Sequence, residues 1–145
     1  MISIRDIDHV VLRVVDVDAM LGFYCGVLGC TLDRRRDDLG LVQLRAGRAM
    51  IDLVVVDGKL GRMGGRAPDV EGRNLDHLCL RLERFNEAAL RAELREAGIA
   101  AGETATRYGA EGDGPSIYVT DPEGNTVELK GPPSATSSAP AAAGA

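Results

Sequence analysis

Two stretches of the chain show nearly the same alternation of apolar and polar residues. Residues 7–14 read IDHVVLRV and residues 75–82 read LDHLCLRL. Side chains that alternate with a period of two are typical of a β-strand with one buried face. The pattern predicts a first strand from Ile4 to Val14 and a matching strand from Asp76 to Leu82. The chain is therefore expected to contain two copies of one structural unit.

The elements that follow each of these strands repeat as well. In the first half, Asp18 is predicted to cap a helix whose apolar residues recur at helical spacing until Gly29 ends it, and strands are predicted at 31–36, 41–45 and 49–56. In the second half, Asn86 is predicted to cap a helix that ends at Gly98. Strands at 99–107, 116–120 and 126–130 then follow, with a turn at 121–125. The predicted fold class is α+β, with two tandem βαβββ modules.

These elements give the expected domain organisation. A single domain, 1–130, contains module 1 at about 4–56, a linker at 57–74 and module 2 at about 75–130. The linker is rich in glycine and cationic residues, which suggests either a solvated, mobile connection or an anion-binding lid. Residues 131–145 carry no charge and no aromatic side chain, so we expect a disordered tail there.

Composition and charge exclude several classes of function. The chain has 145 residues, a formal net charge of -5 and a pI near 5.0, which gives no support to a nucleic-acid partner. No segment approaches the roughly 20 apolar residues that span a membrane, and the N-terminus has no signal-like apolar run. The three cysteines form an odd set without a disulfide pattern. We expect a cytoplasmic protein that binds neither nucleic acid nor membranes.

The candidate chemistry lies at matching positions of the two halves. His9 and His77 are the two histidines of the chain and occupy the same position in the repeated strand. The segments MIDL at 50–53 and TVEL at 126–129 place Asp52 and Glu128 in equivalent positions. Imidazole and carboxylate donors suit one divalent metal such as Zn, Ni, Mn, Fe or Co. The shorter Asp52 is expected to bind the metal directly, to act through a water molecule or to line the pocket.

Three further residues lie on the same strand faces as the histidines. Cys79 is two residues beyond His77, and is predicted to be either a soft ligand or a small buried thiol. Arg13 and Arg81 each follow a histidine by four residues. An arginine near the metal would bind an anionic group of a substrate bidentately, whereas a surface arginine would pair with an acidic side chain.

The longer motifs resemble one superfamily. His9, the Phe23-Tyr24 and Leu28-Gly29 steps, MIDL, His77 and the run IYVTDPEGNTVE at 117–128 are similar to the vicinal oxygen chelate superfamily. This superfamily includes glyoxalases, bleomycin resistance proteins and dioxygenases, and the resemblance covers residues 4–130. It implies sheets that curl into a cup around one metal, with His9, Asp52, His77 and Glu128 as ligands. It also implies a small-molecule substrate and a homodimer.

Within the superfamily, His9 followed by Arg13 is similar to the start of glyoxalase I, although Asp52 stands where that family has glutamate. The resemblance implies a metal-dependent lyase or isomerase that acts on a small oxygenated anion chelating the metal. Glu128 or Asp52 would move the proton. The residues expected to orient the substrate are Arg13, Arg81, Ser116 and Tyr118.

Three alternatives stay open. Ser116 and Tyr118 resemble the substrate-binding residues of fosfomycin resistance enzymes, which would use three ligands corresponding to His9, His77 and Glu128. An extradiol-type dioxygenase would use the same three ligands. A metal-free binding protein of the bleomycin resistance kind would use the fold without the metal.

Overall fold

The computed structural model describes residues 1–134, which form two compact units. The first unit contains Met1–Asn74 and the short stretch Pro122–Gly124, and the second contains Leu75–Asp121 and the chain from Asn125 onward. The first set of elements is β1 (His9–Val14), α1 (Val17–Leu21), a π-helical segment (Gly22–Val27), β2 (Thr31–Arg36), β3 (Leu41–Ala46), β4 (Ala49–Val55) and a 3₁₀ helix (Gly61–Gly64). The second set is β5 (Leu78–Arg81), α2 (Glu87–Glu96), β6 (Ala105–Arg107), β7 (Gly114–Thr120) and β8 (Thr126–Lys130).

Each unit contains one four-stranded sheet, and the two sheets have the same topology. The strand order is β1-β4-β3-β2 in the first and β5-β8-β7-β6 in the second. In each sheet the first strand runs parallel to the last, and the remaining pairs are antiparallel. A parallel pair needs a crossover connection, which here includes the helix and the intervening strands. The α+β class and the two βαβββ modules are therefore confirmed, and neither sheet closes on itself.

The apolar strand positions build the core of each unit. In the first unit, strand residues and the helical residues Met20, Phe23 and Tyr24 are almost fully buried. The buried strand residues of this unit are Leu12, Val14, Val42, Leu44, Ile51 and Leu53. The corresponding core of the second unit contains Leu94, Ile117, Val119, Val127 and Leu129. Each such side chain contributes about 1.5–3 kcal/mol by leaving water, so these faces fix the register that positions the polar residues between them.

Several predicted boundaries are wrong. β1 begins at His9 rather than Ile4, because its parallel partner β4 begins at Ala49 and offers no residue opposite positions 4–7. The first helix is capped by Asp16 rather than Asp18, since the Asp16 carboxylate accepts from the Ala19 N–H at 3.0 Å. The weak strand predicted over 99–107 is reduced to three residues, Ala105–Arg107.

Other local predictions are confirmed. Asn86 caps α2 by accepting from the Ala89 N–H at 3.0 Å. Gly29 and Gly98 follow the two helical segments with φ of 76° and 73°, a backbone region that favours glycine. The turn at 121–125 is closed by the Asp121 carboxylate, which accepts from the backbone and the side chain of Asn125.

The predicted linker and the start of the predicted tail make backbone hydrogen bonds within their units. In the linker, the Gly58 N–H donates to Val55 O at 2.9 Å and the Leu60 N–H donates to Leu39 O at 3.1 Å. At the start of the predicted tail, the Gly131 N–H donates to Pro115 O and the Ser134 N–H donates to Asp113 O. The rest of that tail, 135–145, lies outside the described residues. Within 1–134, no helix is long and apolar enough to cross a membrane.

Candidate metal centre

Asp52 and Glu128 occupy equivalent positions in the two sheets. Asp52 is flanked by Val11 of β1 and Gln43 of β3. Glu128 is flanked by Cys79 of β5 and Tyr118 of β7. Residues directly opposite one another in a sheet share a face, so each carboxylate lies in a row of three side chains on one side of its sheet. This register confirms that MIDL and TVEL are corresponding segments.

Each histidine lies on the same face as the carboxylate of its own module. His9 is two residues before Val11, and His77 is two residues before Cys79, and side chains two residues apart in a strand point the same way. The Nδ1 atoms lie 2.7 Å from Asp8 Oδ1 in the first case and 2.6 Å from Asp76 Oδ1 in the second. Because a carboxylate only accepts, Nδ1–H is the donor and Nε2 is left with its lone pair, the usual arrangement for a metal-binding imidazole.

The second module holds its two donors at a spacing that suits a metal. His77 Nε2 lies 3.4 Å from Glu128 Oε2. Two ligands at about 2.1 Å from a tetrahedral ion are separated by about 3.4 Å, so the pair fits such an ion without rearrangement. The Tyr118 ring supports this geometry, since it contacts the His77 ring edge-to-face with centroids 5.7 Å apart.

Both carboxylates are buried and incompletely hydrogen-bonded. Asp52 is 6% exposed and Glu128 is 5% exposed. Asp52 Oδ2 accepts from Gln43 Nε2 at 2.9 Å, but Asp52 Oδ1 and Glu128 Oε1 are buried and have no hydrogen-bond partner among residues 1–134. A buried polar group without a partner costs about 1–3 kcal/mol, and a charged one costs more. A cation bound to these oxygens would remove that cost.

The electrostatics of the two modules differ in detail. The hydrogen bond that His9 donates to Asp8 raises the pKa of His9 above its ordinary value, and the charge of Asp52 adds to the effect. In the second module, burial together with the negative charge and the hydrogen bond of Glu128 raises the pKa of the Cys79 thiol to about 11, and burial is the largest cause. The Cys79 thiol therefore stays protonated near neutral pH.

Each module contributes two donors, an imidazole and a carboxylate. Among residues 1–134 no three or more His, Cys, Asp or Glu side chains are grouped closely enough to hold a metal. Protein metal sites usually use three or four ligands. Neither pair is therefore a complete site by itself.

The four predicted substrate-binding residues have different surroundings. Arg13 donates to the backbone carbonyls of Gly61, Gly65 and Arg66, at 3.1, 2.6 and 2.8 Å. Arg81 is paired with Glu111. Ser116 and Tyr118 both lie on β7, on the face that carries Glu128. Three of the four thus lie in the second module, on the same face as its histidine and carboxylate.

The sequence analysis missed the side chains that hold the candidate ligands. Gln43 fixes one oxygen of Asp52, and Asp8 and Asp76 fix the histidine rings. Two signals were present in the sequence. Gln43 is a polar residue between the buried Val42 and Leu44, and an aspartate precedes both histidines.

With this geometry in place, comparison with known proteins gives the family. Residues 6–129 match the Glyoxalase/Bleomycin resistance protein/Dioxygenase superfamily, and the chain belongs to it. Members of this superfamily often bind a divalent metal, bind small-molecule substrates and form dimers. Comparison with curated proteins gives no match.

Solved structures share the fold over nearly their whole length. The virulence protein STM3117 of Salmonella typhimurium is 28% identical, with a TM-score of 0.75 over 90% of this chain and 99% of the other. An antibiotic-binding protein, TnmS3 of Streptomyces sp. CB03234, is 22% identical, with a TM-score of 0.64 over 91% and 99%. A lactoylglutathione lyase of Agrobacterium tumefaciens is 21% identical, with a TM-score of 0.59 over 87% and 92%. The last two are similar in fold alone.

Proposed function

We propose that this chain is a metal-dependent lyase or isomerase of the glyoxalase I type, acting on a small oxygenated anion. His9, Asp52, His77 and Glu128 would bind one divalent metal. The observation that carries the proposal is the pair of buried carboxylates at equivalent sheet positions, each with one oxygen that has no hydrogen-bond partner. The fold by itself does not require a buried charge at either position.

The chemistry of the four residues fits a divalent ion. Two carboxylates balance its charge, and the two imidazoles are held by Asp8 and Asp76 with Nε2 left as a donor. When bound, such an ion supplies Lewis acidity that stabilises negative charge on a substrate oxygen. The donor set of nitrogen and oxygen atoms suits Zn, Ni, Mn, Fe or Co.

Of the two carboxylates, Glu128 is better placed to move a proton. Asp52 is oriented by the amide of Gln43, whereas Glu128 receives no amide donor. The longer Glu128 side chain can therefore accept a proton from a substrate carbon while Asp52 keeps its orientation. Tyr118 lies opposite Glu128 and against His77, where its hydroxyl would orient the substrate.

A second candidate is a three-ligand site of the fosfomycin-resistance kind. The hydrogen bond from Gln43 occupies one Asp52 oxygen, which favours a supporting role for Asp52 over direct metal binding. In that case His9, His77 and Glu128 would bind the metal, while Ser116 and Tyr118 would bind a phosphonate or similar anion.

The two candidates differ in the response to Asp52→Asn. A glyoxalase-like site should lose metal affinity together with isomerase activity on a hemithioacetal, because a neutral amide is a poor ligand and no base. A three-ligand site should keep its metal, while Ser116→Ala and Tyr118→Phe weaken phosphonate binding. Glu96→Gln, an exposed change on α2, serves as the matched control. Unchanged metal binding in the Asp52 variant, without activity on either substrate, would remove both candidates.

We also propose a homodimer, since members of the superfamily are often dimers. Light scattering should give about twice the 15.3 kDa mass of the chain. A metal-loaded protein that scatters as a monomer would contradict this assembly.

A further inference from the structure

The second sheet carries a row of cationic and polar side chains next to the row that contains Glu128. Lys130 is two residues beyond Glu128 on β8, and its partners in the sheet are Arg81 on β5 and Ser116 on β7. Because side chains two residues apart share a face, this second row lies about 7 Å along the strands from the first. The carboxylate and the cations thus form neighbouring rows on one surface.

Lys130 is an unusual residue for a sheet interior. It is only 5% exposed, and its ammonium donates to Arg107 O at 2.5 Å and to Gly114 O at 3.3 Å. Space for this side chain depends on glycines, since a Cβ at Gly109 would lie 2.7 Å from Lys130 Cε and one at Gly114 would lie 3.0 Å from Lys130 Nζ. An ammonium has three donors, so one remains for a further acceptor.

Arg107 on β6 places a second cation near Lys130, whose ammonium donates to the Arg107 backbone carbonyl. Its NH1 donates to Ser116 O at 2.9 Å and to Ser116 Oγ at 2.8 Å. Its guanidinium lies over the Tyr118 ring, 4.4 Å from the centroid, while His77 contacts that same ring. The guanidinium is therefore held in a fixed orientation with its remaining N–H groups available.

The first module shows that the fold does not need these residues. The position of Lys130 corresponds to Val54, and that of Ser116 corresponds to Leu41, by the pairing of each with its neighbouring strands. Both counterparts are apolar, whereas the third position of the row is an arginine in both modules, Arg13 in the first and Arg81 in the second. Two apolar residues of the row, Val54 and Leu41, are thus replaced by Lys130 and Ser116 in only one module, which indicates a ligand rather than a folding requirement.

The charges of this row are also unbalanced within residues 1–134. Arg81 is ion-paired with Glu111, but neither Lys130 nor Arg107 has a carboxylate partner in the described part of the chain. Burying a cation without a counter-charge is unfavourable, and an anion beside both cations would supply one.

We propose that Lys130, Arg107 and Ser116 form an anion subsite that binds an oxyanion group of the substrate, a carboxylate, phosphate or phosphonate. The proposal rests on the proposed function, in which the neighbouring Glu128 row holds the metal. It defines the substrate class as a small molecule with metal-chelating oxygens at one end and a charged oxyanion at the other. Ser116 adds a hydroxyl donor, and the guanidinium of Arg107 adds N–H donors that can bind two oxygens of one carboxylate or phosphate group.

The test is anion binding to the full chain, measured by calorimetry with inorganic phosphate and separately with acetate at constant ionic strength. Each titration is made with the metal removed by a chelator and again with zinc added. We expect phosphate or acetate to bind, and Lys130→Met and Arg107→Gln each to weaken binding by about tenfold or more. Ser116→Ala should have a smaller effect in the same direction. Stronger binding of phosphate than of acetate would identify a tetrahedral group, and the reverse order a planar one.

Two matched controls exclude a general charge effect. Arg95→Gln and Lys59→Met remove a cation elsewhere and should leave anion affinity within about twofold. If Lys130→Met fails to fold by circular dichroism, Arg107→Gln and Ser116→Ala decide the question. Wild-type protein that binds neither anion with an affinity better than about 10 mM, or variants that bind as the wild type does, would overturn the proposal.

The same samples separate this proposal from the proposed function. Metal content is measured in each variant, and we expect Lys130→Met and Arg107→Gln to retain it. Anion binding without any metal binding would refute the metal-dependent enzyme and leave the subsite standing. Metal binding with no anion binding would refute the subsite alone.

Discussion

Replacing Glu128 with glutamine should change the stability of the metal-free and metal-bound protein in opposite directions. The substitution keeps the shape of the side chain and removes its charge. Glu128 is 5% exposed, and one of its oxygens has no hydrogen-bond partner. In the metal-free protein the charge of Glu128 therefore lowers stability, whereas in the proposed metal-bound protein the carboxylate would be a ligand.

The magnitudes follow from the contacts of Glu128. Relief of a buried unsatisfied oxygen is worth about 1–3 kcal/mol, and the glutamine amide can donate to the lone pair of His77 Nε2, which lies 3.4 Å from Glu128 Oε2. The metal-free variant should therefore be about 1–3 kcal/mol more stable than the wild type. With metal at 100 times its dissociation constant, the wild type gains about 2.7 kcal/mol, and the variant should lose most of that gain.

Thermal unfolding, with and without zinc, measures both effects, and about 3–5 °C corresponds to 1 kcal/mol for a chain of this size. We expect zinc to raise the melting temperature of the wild type by about 10 °C and to have little effect on the variant. Glu93→Gln, which removes an exposed glutamate on α2 of the same unit, is the control. A metal-free variant clearly less stable than the wild type, with an undiminished response to zinc, would refute the reasoning.

Three smaller predictions follow from single side chains. Cys79, whose pKa is raised to about 11, should react with iodoacetamide at pH 8 about tenfold more slowly than it does in the unfolded chain. The smaller fraction of thiolate lowers the rate by more than the higher nucleophilicity of that thiolate raises it. Equal rates in the folded and unfolded chain, measured by peptide mass spectrometry, would contradict this. Asp8→Asn should lower the pKa of His9, because the carboxylate that stabilises the imidazolium is gone; an unchanged NMR titration curve would show that the contact is absent in solution. Leu53→Ala should reduce the free energy of unfolding, measured by urea denaturation, by about 2–5 kcal/mol, because Leu53 is fully buried on β4 between β1 and β3. A loss below about 1 kcal/mol would argue against that packing.

The sequence predicts most of the architecture because the two modules repeat. The alternation at His9–Val14 and the matched MIDL and TVEL segments were sufficient to predict both sheets and the equivalence of Asp52 and Glu128. The strand boundaries were predicted wrongly where the length of a neighbouring strand determines where pairing begins. Residues 4–7 have a strand-like pattern, but β4 begins at Ala49 and does not extend far enough to pair with them.

The sequence also could not predict the π-helical geometry or the side-chain hydrogen bonds between neighbouring strands. The π-helical segment Gly22–Val27 has apolar spacing that fits an ordinary helix equally well. The bond from Gln43 to Asp52 joins two strands, and so does that from Arg107 to Ser116. Such contacts depend on register, which only the folded sheet reveals.

In the proposed metal centre, both histidines would bind the same metal ion. The chain contains only two histidines, so long-range ¹⁵N–¹H NMR of the imidazoles gives one signal set for His9 and one for His77. Untagged, metal-free protein is titrated with zinc, and the Nε2 resonances are followed. We expect both to shift together and to saturate at about one equivalent of zinc per chain, as for one ion with three or four protein ligands. Imidazoles that do not respond to zinc, or that saturate independently at about two equivalents, would contradict the account.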